Sequence, residues 1–318
     1  MYRTYFGLKE NPFNLTPDPR YLYFAPQHRE ALNHLVYGIA DRKGFMVVTG
    51  GIGTGKTTIS RSLMAILDTD VDTALIFNSS VSDMDLLAVI AREFNLKMGS
   101  GRPTKRRYID ALNQFLLKNF ADGKNAVLII DEAQNLSHVV LEQIRMLSNL
   151  ETEREKLLQI ILLGQSELKT MLASSSLRQL NDRIAVRYDL VPLGSDQIEP
   201  YIRHRLSVAD GPGTEIHFTA VARRLVYRAS GGNPRRINVL CDRALLVAFA
   251  LDRPVIDRGI IRKAIRDIGP SYLGQRTPWW KVGKIGIPAV ILAVLVFLFG
   301  VWQHDAFREG IRALFQVY

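Results

Sequence analysis

The sequence predicts an α/β protein: a parallel sheet covered by helices on both faces, then a smaller α-helical domain, then one C-terminal membrane-spanning helix. Three observations carry this expectation. Residues 50–57 read Gly50-Gly51-Ile52-Gly53-Thr54-Gly55-Lys56-Thr57, which matches the phosphate-binding loop G-x-x-x-x-G-K-[ST]. Apolar runs alternate with helical patterns from residue 45 to about 190, as repeated βα units do. Residues 285–302 form an apolar run without a charge, long enough to cross a bilayer.

The loop sits in the context its chemistry needs. Phe45-Met46-Val47-Val48-Thr49 precedes it and reads as a buried parallel strand. Thr58 to Leu67 follows with apolar residues at helical spacing. Glycines let backbone amides close around a phosphate, and the helix N-terminus adds partial positive charge. The expected nucleotide-binding set is Gly50, Gly51, Ile52, Gly53, Thr54, Gly55, Lys56, Thr57 and Thr58. In it Lys56 reaches the β- and γ-phosphates, and the Thr57 hydroxyl ligates Mg²⁺.

The remaining elements follow in order. Thr73–Asn78 reads as a strand, Met84–Phe94 and Tyr108–Phe120 as helices, and Ala126–Asp131 as a strand. Val139–Leu150 is a helix, Leu158–Leu163 a strand and Arg183–Leu190 the last strand. Pro192-Leu193-Gly194-Ser195 breaks the alternation. From there to 269 only helices are expected: Asp196–Val208, Thr219–Ala229, Pro234–Ala250 and Asp257–Ile268. The expected division is 1–43 as an N-terminal segment, 44–192 as the αβ core and 193–269 as the helical domain. Residues 270–284 are a linker, 285–302 the membrane helix and 303–318 a short tail.

Asp131-Glu132 ends the strand that begins at Ala126. Ligands of doubly wound sheets lie beyond the carboxyl ends of strands. Asp131 is therefore expected beside the loop, holding Mg²⁺ largely through water. Glu132 is expected to orient and polarise the attacking water. Gln165 ends the next strand and can hydrogen-bond the γ-phosphate or that water. Arg183, at the start of the last strand, is a candidate to project into a neighbouring subunit's site, with Arg178 and Arg187 as competitors. Gly231-Gly232-Asn233-Pro234-Arg235-Arg236 opens a helix of the second domain, and Arg235 there is placed to contact bound phosphates.

Eighteen helical residues span roughly 27 Å, close to the ~30 Å hydrocarbon core. Trp279, Trp280 and Trp302 bracket the 285–302 run, as interfacial aromatics do. Lys281, Lys284 and Arg276 on its N-terminal side, and the absence of a secretory signal at Met1–Phe6, favour a cytoplasmic N-terminal domain. In the tail, Phe307, Ile311, Leu314 and Phe315 share a helical face that either lies on the outer membrane surface or belongs to a solvated helix.

The 318 residues carry a formal charge of +10 and 47% hydrophobic residues. That suits a sizeable core and anionic partners: nucleotide, nucleic acid or an anionic membrane face. One cysteine, Cys241, excludes an intrachain disulfide framework and a cysteine-cluster metal site. Its apolar helical surroundings mark it as a small buried hydrophobe.

In order, the loop, Asp131-Glu132, Gln165, Arg183 and Arg235 with a helical lid resemble an AAA+ ATPase. The N-terminal Tyr5-Phe6-Gly7-Leu8, Asn11-Pro12-Phe13, Thr16-Pro17-Asp18-Pro19-Arg20 and His28-Arg29-Glu30-Ala31-Leu32 resemble the general secretion pathway protein A (ExeA/GspA) ATPases. So do Asp131-Glu132-Ala133-Gln134-Asn135, Gly164-Gln165-Ser166-Glu167-Leu168 and Leu177-Arg178-Gln179-Leu180. The resemblance covers about residues 1–270. It implies a P-loop AAA+ parallel sheet core with an α-helical lid, ATP and Mg²⁺ as cofactors, Gln165 as sensor 1, Arg183 as arginine finger and Arg235 as sensor 2. It further implies an oligomeric inner-membrane ATPase that works with secretion or pilus assembly proteins in the inner membrane or periplasm. The secretion-type relatives continue into a periplasmic peptidoglycan-binding domain, whereas 303–318 is too short for one, so no direct cell-wall binding is expected of this segment.

Two other readings are open at this point. A nucleotide-switched DNA-binding protein of the transposition-associated AAA+ type fits the charge and Lys105-Arg106-Arg107. The membrane span argues against it, so nucleic acid is not an expected partner. A scaffold whose bound nucleotide only sets its oligomeric state is the third.

Overall fold

The computed structural model describes residues 2–16, 18–77, 81–98, 102, 104–209, 216–269 and 272–273. The expected membrane helix, the tail and nearly all of the linker lie outside these residues. Among the described residues no helix is long and apolar enough to cross a membrane. The chain forms two compact units, Met1–Ala264 and Ile265–Tyr318. The described part of the second is the end of one helix and two further residues.

The elements run in the order α1 (Tyr2–Tyr5), α2 (Pro26–Ala40), β1 (Phe45–Gly50), α3 (Lys56–Ile66), β2 (Val71–Ile76), α4 (Asp83–Glu93), α5 (Lys105–Ala121) and β3 (Asn125–Ile130). Then come α6 (His138–Leu147), β4 (Gln159–Gly164), α7 (Ser166–Leu172), α8 (Arg178–Asn181) and β5 (Ile184–Leu190). The lid adds α9 (Ile198–Val208), β6 (His217–Phe218), α10 (Ala220–Ser230), α11 (Pro234–Ala250), β7 (Val255–Ile256) and α12 (Arg258–Ile268). Ser82, Thr104, Ser137, Thr219 and Asn233 each cap the helix that follows by accepting a backbone N–H, which fixes where those helices start.

Strands β1 to β5 make one parallel sheet in the order β2-β3-β4-β1-β5. Strands β1, β3 and β4 are buried along their whole length, which explains why they read as unbroken apolar runs. Alternate residues serve the two faces. Met46, Val48, Val127, Ile129, Ile161 and Leu163 pack with Leu35 and Ile39 of α2 and with Ile59 and Leu63 of α3. Phe45, Val47, Leu128, Ile130, Ile160 and Leu162 pack with α4, α5 and α6 through Leu86, Ile90, Leu112, Leu141 and Ile144.

One expectation needs correction. The lid is not helical throughout: His217–Phe218 and Val255–Ile256 pair as a two-stranded parallel ribbon. Two residues are too few to show a period in sequence. The 1–43 segment divides its contacts: its last part, α2, packs on the sheet, whereas residues 2–16 pack on the lid. The Tyr2 hydroxyl donates to Asp242 of α11, Lys9 N–H donates to Ala209 O at 3.0 Å, and Phe13 meets Phe218 edge-on. Arg205 of α9 clamps this arm, with Nε donating to Pro12 O at 2.6 Å and Nη2 to Asn14 O at 3.0 Å. Cys241 is buried as expected, and burial pushes its thiol pKa up.

Candidate nucleotide-binding site

The loop Gly50–Thr57 links the end of β1 to the start of α3. Gly53 and Gly55 have φ of +75° and +108°, which only glycine adopts without strain. Their surroundings forbid a side chain as well: a Cβ on Gly53 would lie 2.6 Å from Arg235 Cβ, and one on Gly55 2.8 Å from His28 Nε2. The His28 ring, buried in α2, places Nε2 at 2.9 Å from the Thr54 carbonyl. That carbonyl is an acceptor only, so Nε2 carries the proton and donates. Burial lowers the His28 pKa, opposed by the bond to Thr54.

Lys56 folds back on the loop, with Nζ donating to Gly50 O at 3.0 Å and Gly51 O at 3.1 Å. Burial lowers its pKa against the pull of Glu132, Asp131 and Glu167. The ammonium is therefore held over the loop by two backbone carbonyls. Thr57 Oγ1 donates to Asp131 Oδ2 at 2.6 Å, and Asp131 Oδ1 accepts the Glu132 N–H at 2.8 Å. A hydroxyl and a carboxylate in contact are the oxygen donors that a hard cation such as Mg²⁺ takes. Among the described residues no group of three or more His, Cys, Asp or Glu could hold a metal, so most of the six ligands of a Mg²⁺ shell would have to come from ligand oxygens and water.

Glu132 has φ +53°, a left-handed conformation uncommon for a residue with a side chain. Its Oε2 accepts Gln134 Nε2 at 2.6 Å and Gln165 Nε2 at 3.1 Å. Desolvation pushes its pKa up, but these two amides and Lys56 outweigh it and leave the carboxyl below its ordinary value.

The lid closes the other side. Asn233, N-cap of α11, donates from Nδ2 to Ile52 O at 2.6 Å while its Oδ1 accepts the Arg236 N–H at 3.1 Å. A cleft of about 600 Å³ results. Ile52 to Thr58, Glu132, Gln165 and Arg235 line its phosphate end, and Tyr23, Phe24, Ile66 and Tyr201 its apolar end. Gly50, Gly51 and Asp131 stand directly behind that lining, through the bonds to Lys56 and Thr57.

The three arginines expected at a neighbouring site do not line this cleft. Arg183 Nη1 donates to Ser148 Oγ at 2.8 Å, to Arg145 O at 3.3 Å and to Asn149 Oδ1, capping the C-terminal end of α6. Arg187 Nη2 donates to Asn181 Oδ1 at 3.0 Å and to Asn181 O. The Arg178 side chain is 83% exposed, with Nε 4.0 Å from Asp182 Oδ2. Sequence reasoning gave no role to His28, Asn233, Gln134 or Arg205. Asn233 was legible as an N-cap before Pro234; the other three depend on contacts between distant segments.

An AAA domain profile matches residues 39–172. General secretion pathway protein A of Aeromonas hydrophila is 43% identical over 96% of this chain, and the chain spans about half (54%) of that relative. Among solved structures, Cdc6p of Pyrobaculum aerophilum superposes with TM-score 0.61 at 17% identity, over 80% of this chain and 70% of its own. The Aeropyrum pernix ORC2 protein, in ADPNP–ADP complexes, gives TM-score 0.59 at 16% identity, over 81% and 71%.

A Gly55→Ala chain is expected to keep its circular dichroism spectrum and lose more than about tenfold in affinity for a fluorescent ATP analogue, because a strained loop cannot present its amides. Unchanged affinity would show that the loop shape is not what binds.

Proposed function

The chain is an AAA+ ATPase of the general secretion pathway protein A family, and from that premise we propose that it is a membrane-anchored, oligomeric motor for a cell-envelope secretion or pilus system. The observation that carries the catalytic part is the Thr57–Asp131 contact with Glu132 next in chain. Loop hydroxyl, strand-end carboxylate and candidate base stand at one end of one cleft.

ATP binds with its phosphates on the loop amides and Lys56, and its base toward the apolar end of the cleft. Glu132 takes a proton from the water that attacks the γ-phosphorus as the bond to the β-phosphate oxygen breaks. Lys56 and Arg235 offset charge on the phosphate oxygens, and Gln165 hydrogen-bonds the γ-phosphate. Thr57 and Asp131 would hold Mg²⁺, which when bound would neutralise phosphate charge. Through Arg235 and Asn233 the lid follows the state of the loop. Arg183 is the arginine offered to a neighbouring subunit, and it must leave the end of α6 to act. The uncharged 285–302 run with its flanking tryptophans and lysines supports a single pass with the ATPase domain in the cytoplasm. Inner-membrane or periplasmic assembly proteins are the partners this reading implies.

Glu132→Gln is expected to lower kcat about 10²–10⁴-fold while ATP still binds; Lys56→Ala loses both. Turnover at the wild-type rate in either chain would remove the site assignment. Mixing Arg183→Ala subunits with Glu132→Gln subunits is expected to restore part of the ATPase rate, because one interface then holds both groups; no recovery, or recovery only with Arg178→Ala, moves the role elsewhere. The full chain is expected in the membrane pellet after a carbonate wash and a chain lacking 285–302 in the supernatant; a soluble full chain refutes the anchor.

A further inference from the structure

We propose that helix α12 carries a docking face for anionic lipid headgroups: Arg258, Arg262, Lys263 and Arg266 lay the lid on the surface of an anionic bilayer. This inference rests on the reading of 285–302 as a membrane anchor.

The four cations lie on the exposed side of α12, while Ile260, Ile261 and Ala264 bury its opposite side. At 3.6 residues per turn, Arg258, Arg262 and Arg266 form one row, with Lys263 beside it. The row therefore belongs to a packed helix, not to a loose tail. Asp267, at its edge, is the only acid exposed on α12. Among the described residues none of the four cations is in an ion pair. Asp257, the carboxylate at the head of the helix, is taken by Arg253 at 2.9 Å and by the Ile260 N–H at 2.9 Å. Like charges four residues apart weaken a helix. Arg258 also stands in the first turn, at the positive end of the helix dipole, and only Arg266 gains from the negative end. A row of charge that its own helix disfavours, and that no carboxylate of the fold neutralises, fits an anionic surface outside the fold.

The place of the helix in the chain identifies that surface. Residues 258–284 hold seven Lys or Arg and one Asp, a net +6 of the chain's +10. Sixteen residues, 269–284, separate α12 from the uncharged run at 285–302. Fully extended they reach at most about 55 Å, so an anchored chain keeps α12 within that distance of the bilayer. Clusters of Lys and Arg on the cytoplasmic side of a membrane helix bind anionic lipid, at about fivefold per cation close to the surface. Four cations together favour the docked state on the order of several hundredfold. Double-stranded DNA attracts the same charge, but it must be captured from solution. The bilayer is held at high effective concentration by the chain itself.

The test uses the full chain with a donor dye on Gly259→Cys, an exposed position between Arg258 and Arg262; the native Cys241 is buried. The chain is reconstituted in phosphatidylcholine vesicles, or in vesicles with about 30% phosphatidylglycerol, both carrying an acceptor dye on their headgroups. Energy transfer is expected to be at least about twofold higher with phosphatidylglycerol at about 50 mM salt, and to lose that gain at about 500 mM, where the charges are screened. Arg258→Gln, Arg262→Gln, Lys263→Gln and Arg266→Gln combined are expected to abolish the gain, with the ATPase rate in phosphatidylcholine vesicles unchanged. Arg262→Gln alone, expected to lower the ratio of docked to undocked chains about fivefold, serves if the fourfold variant does not fold. Equal transfer in the two kinds of vesicle overturns the proposal, and so does a gain that survives in the fourfold variant. Duplex DNA that binds the chain in phosphatidylcholine vesicles only when the four cations are present makes the face a nucleic-acid surface, which also overturns it. A full chain that carbonate strips from phosphatidylcholine vesicles refutes the anchor; a chain that stays and shows no difference refutes only the role of α12.

Discussion

Strands β3, β4 and β1 leave the sheet at nearly one level, and the cleft is a product of that register. Ile130 lies opposite Leu162, Val48 opposite Leu163 and Thr49 opposite Gly164. The next residues out are Asp131, Gln165 and Gly50, so carboxylate, amide and phosphate loop emerge within two residues of one level. With apolar residues on both faces, polarity of the faces does little to fix this register. The ends fix it. A slip of β3 by one residue toward the core draws Asp131 between apolar strands, where an ionised carboxylate without its partners costs several kcal/mol. Asp131 instead meets Thr57 and the Glu132 N–H at the rim. One short hydrogen bond therefore records that two strands and a helix have docked in the correct order.

The opposite charges of the site are held by different partners. Lys56 donates to two loop carbonyls, and the Glu132 carboxylate accepts two side-chain amides. Preorganised groups of this kind need little rearrangement at the moment of reaction, which is where such sites gain most of their advantage. The lid adds a polar clasp, Asn233 to the Ile52 carbonyl, so the loop is held by the sheet below and the helical domain above.

Much of this was legible in the sequence because it is local. The five sheet strands begin and end within about two residues of expectation, since apolar runs, glycines and helix caps are read over short windows. Lys56 and Thr57, which open the helix after the glycine loop, and Asp131, Glu132 and Gln165, which follow the ends of β3 and β4, were placed by the same local logic. What escaped depends on contacts between distant segments. No spacing rule relates His28 to Thr54, or Arg205 to Pro12 and Asn14. Arg183 shows the converse: its place at the head of β5 was readable, but not the α6 terminus that occupies its guanidinium. Gln134 stood in view two residues past Glu132, and only the paired bonds to Glu132 and Gln165 show that it bridges them.

The arm formed by residues 2–16 imposes an order on biosynthesis. Its docking surface lies on helices α9 and α11, and the Tyr2–Asp242 contact joins residues 240 apart in sequence. When the arm leaves the ribosome its partners have not been made, while α2 and β1 already have each other. The sheet can assemble strand by strand as it is translated, but Phe13 and the backbone that Arg205 grips must wait in water until the lid emerges. At about 5–20 residues per second, that wait is on the order of ten seconds to a minute, long on the timescale of hydrophobic collapse. A nascent chain of this kind presents an unpaired aromatic segment for longer than any other part of its core, and that interval is where a chaperone has most to protect.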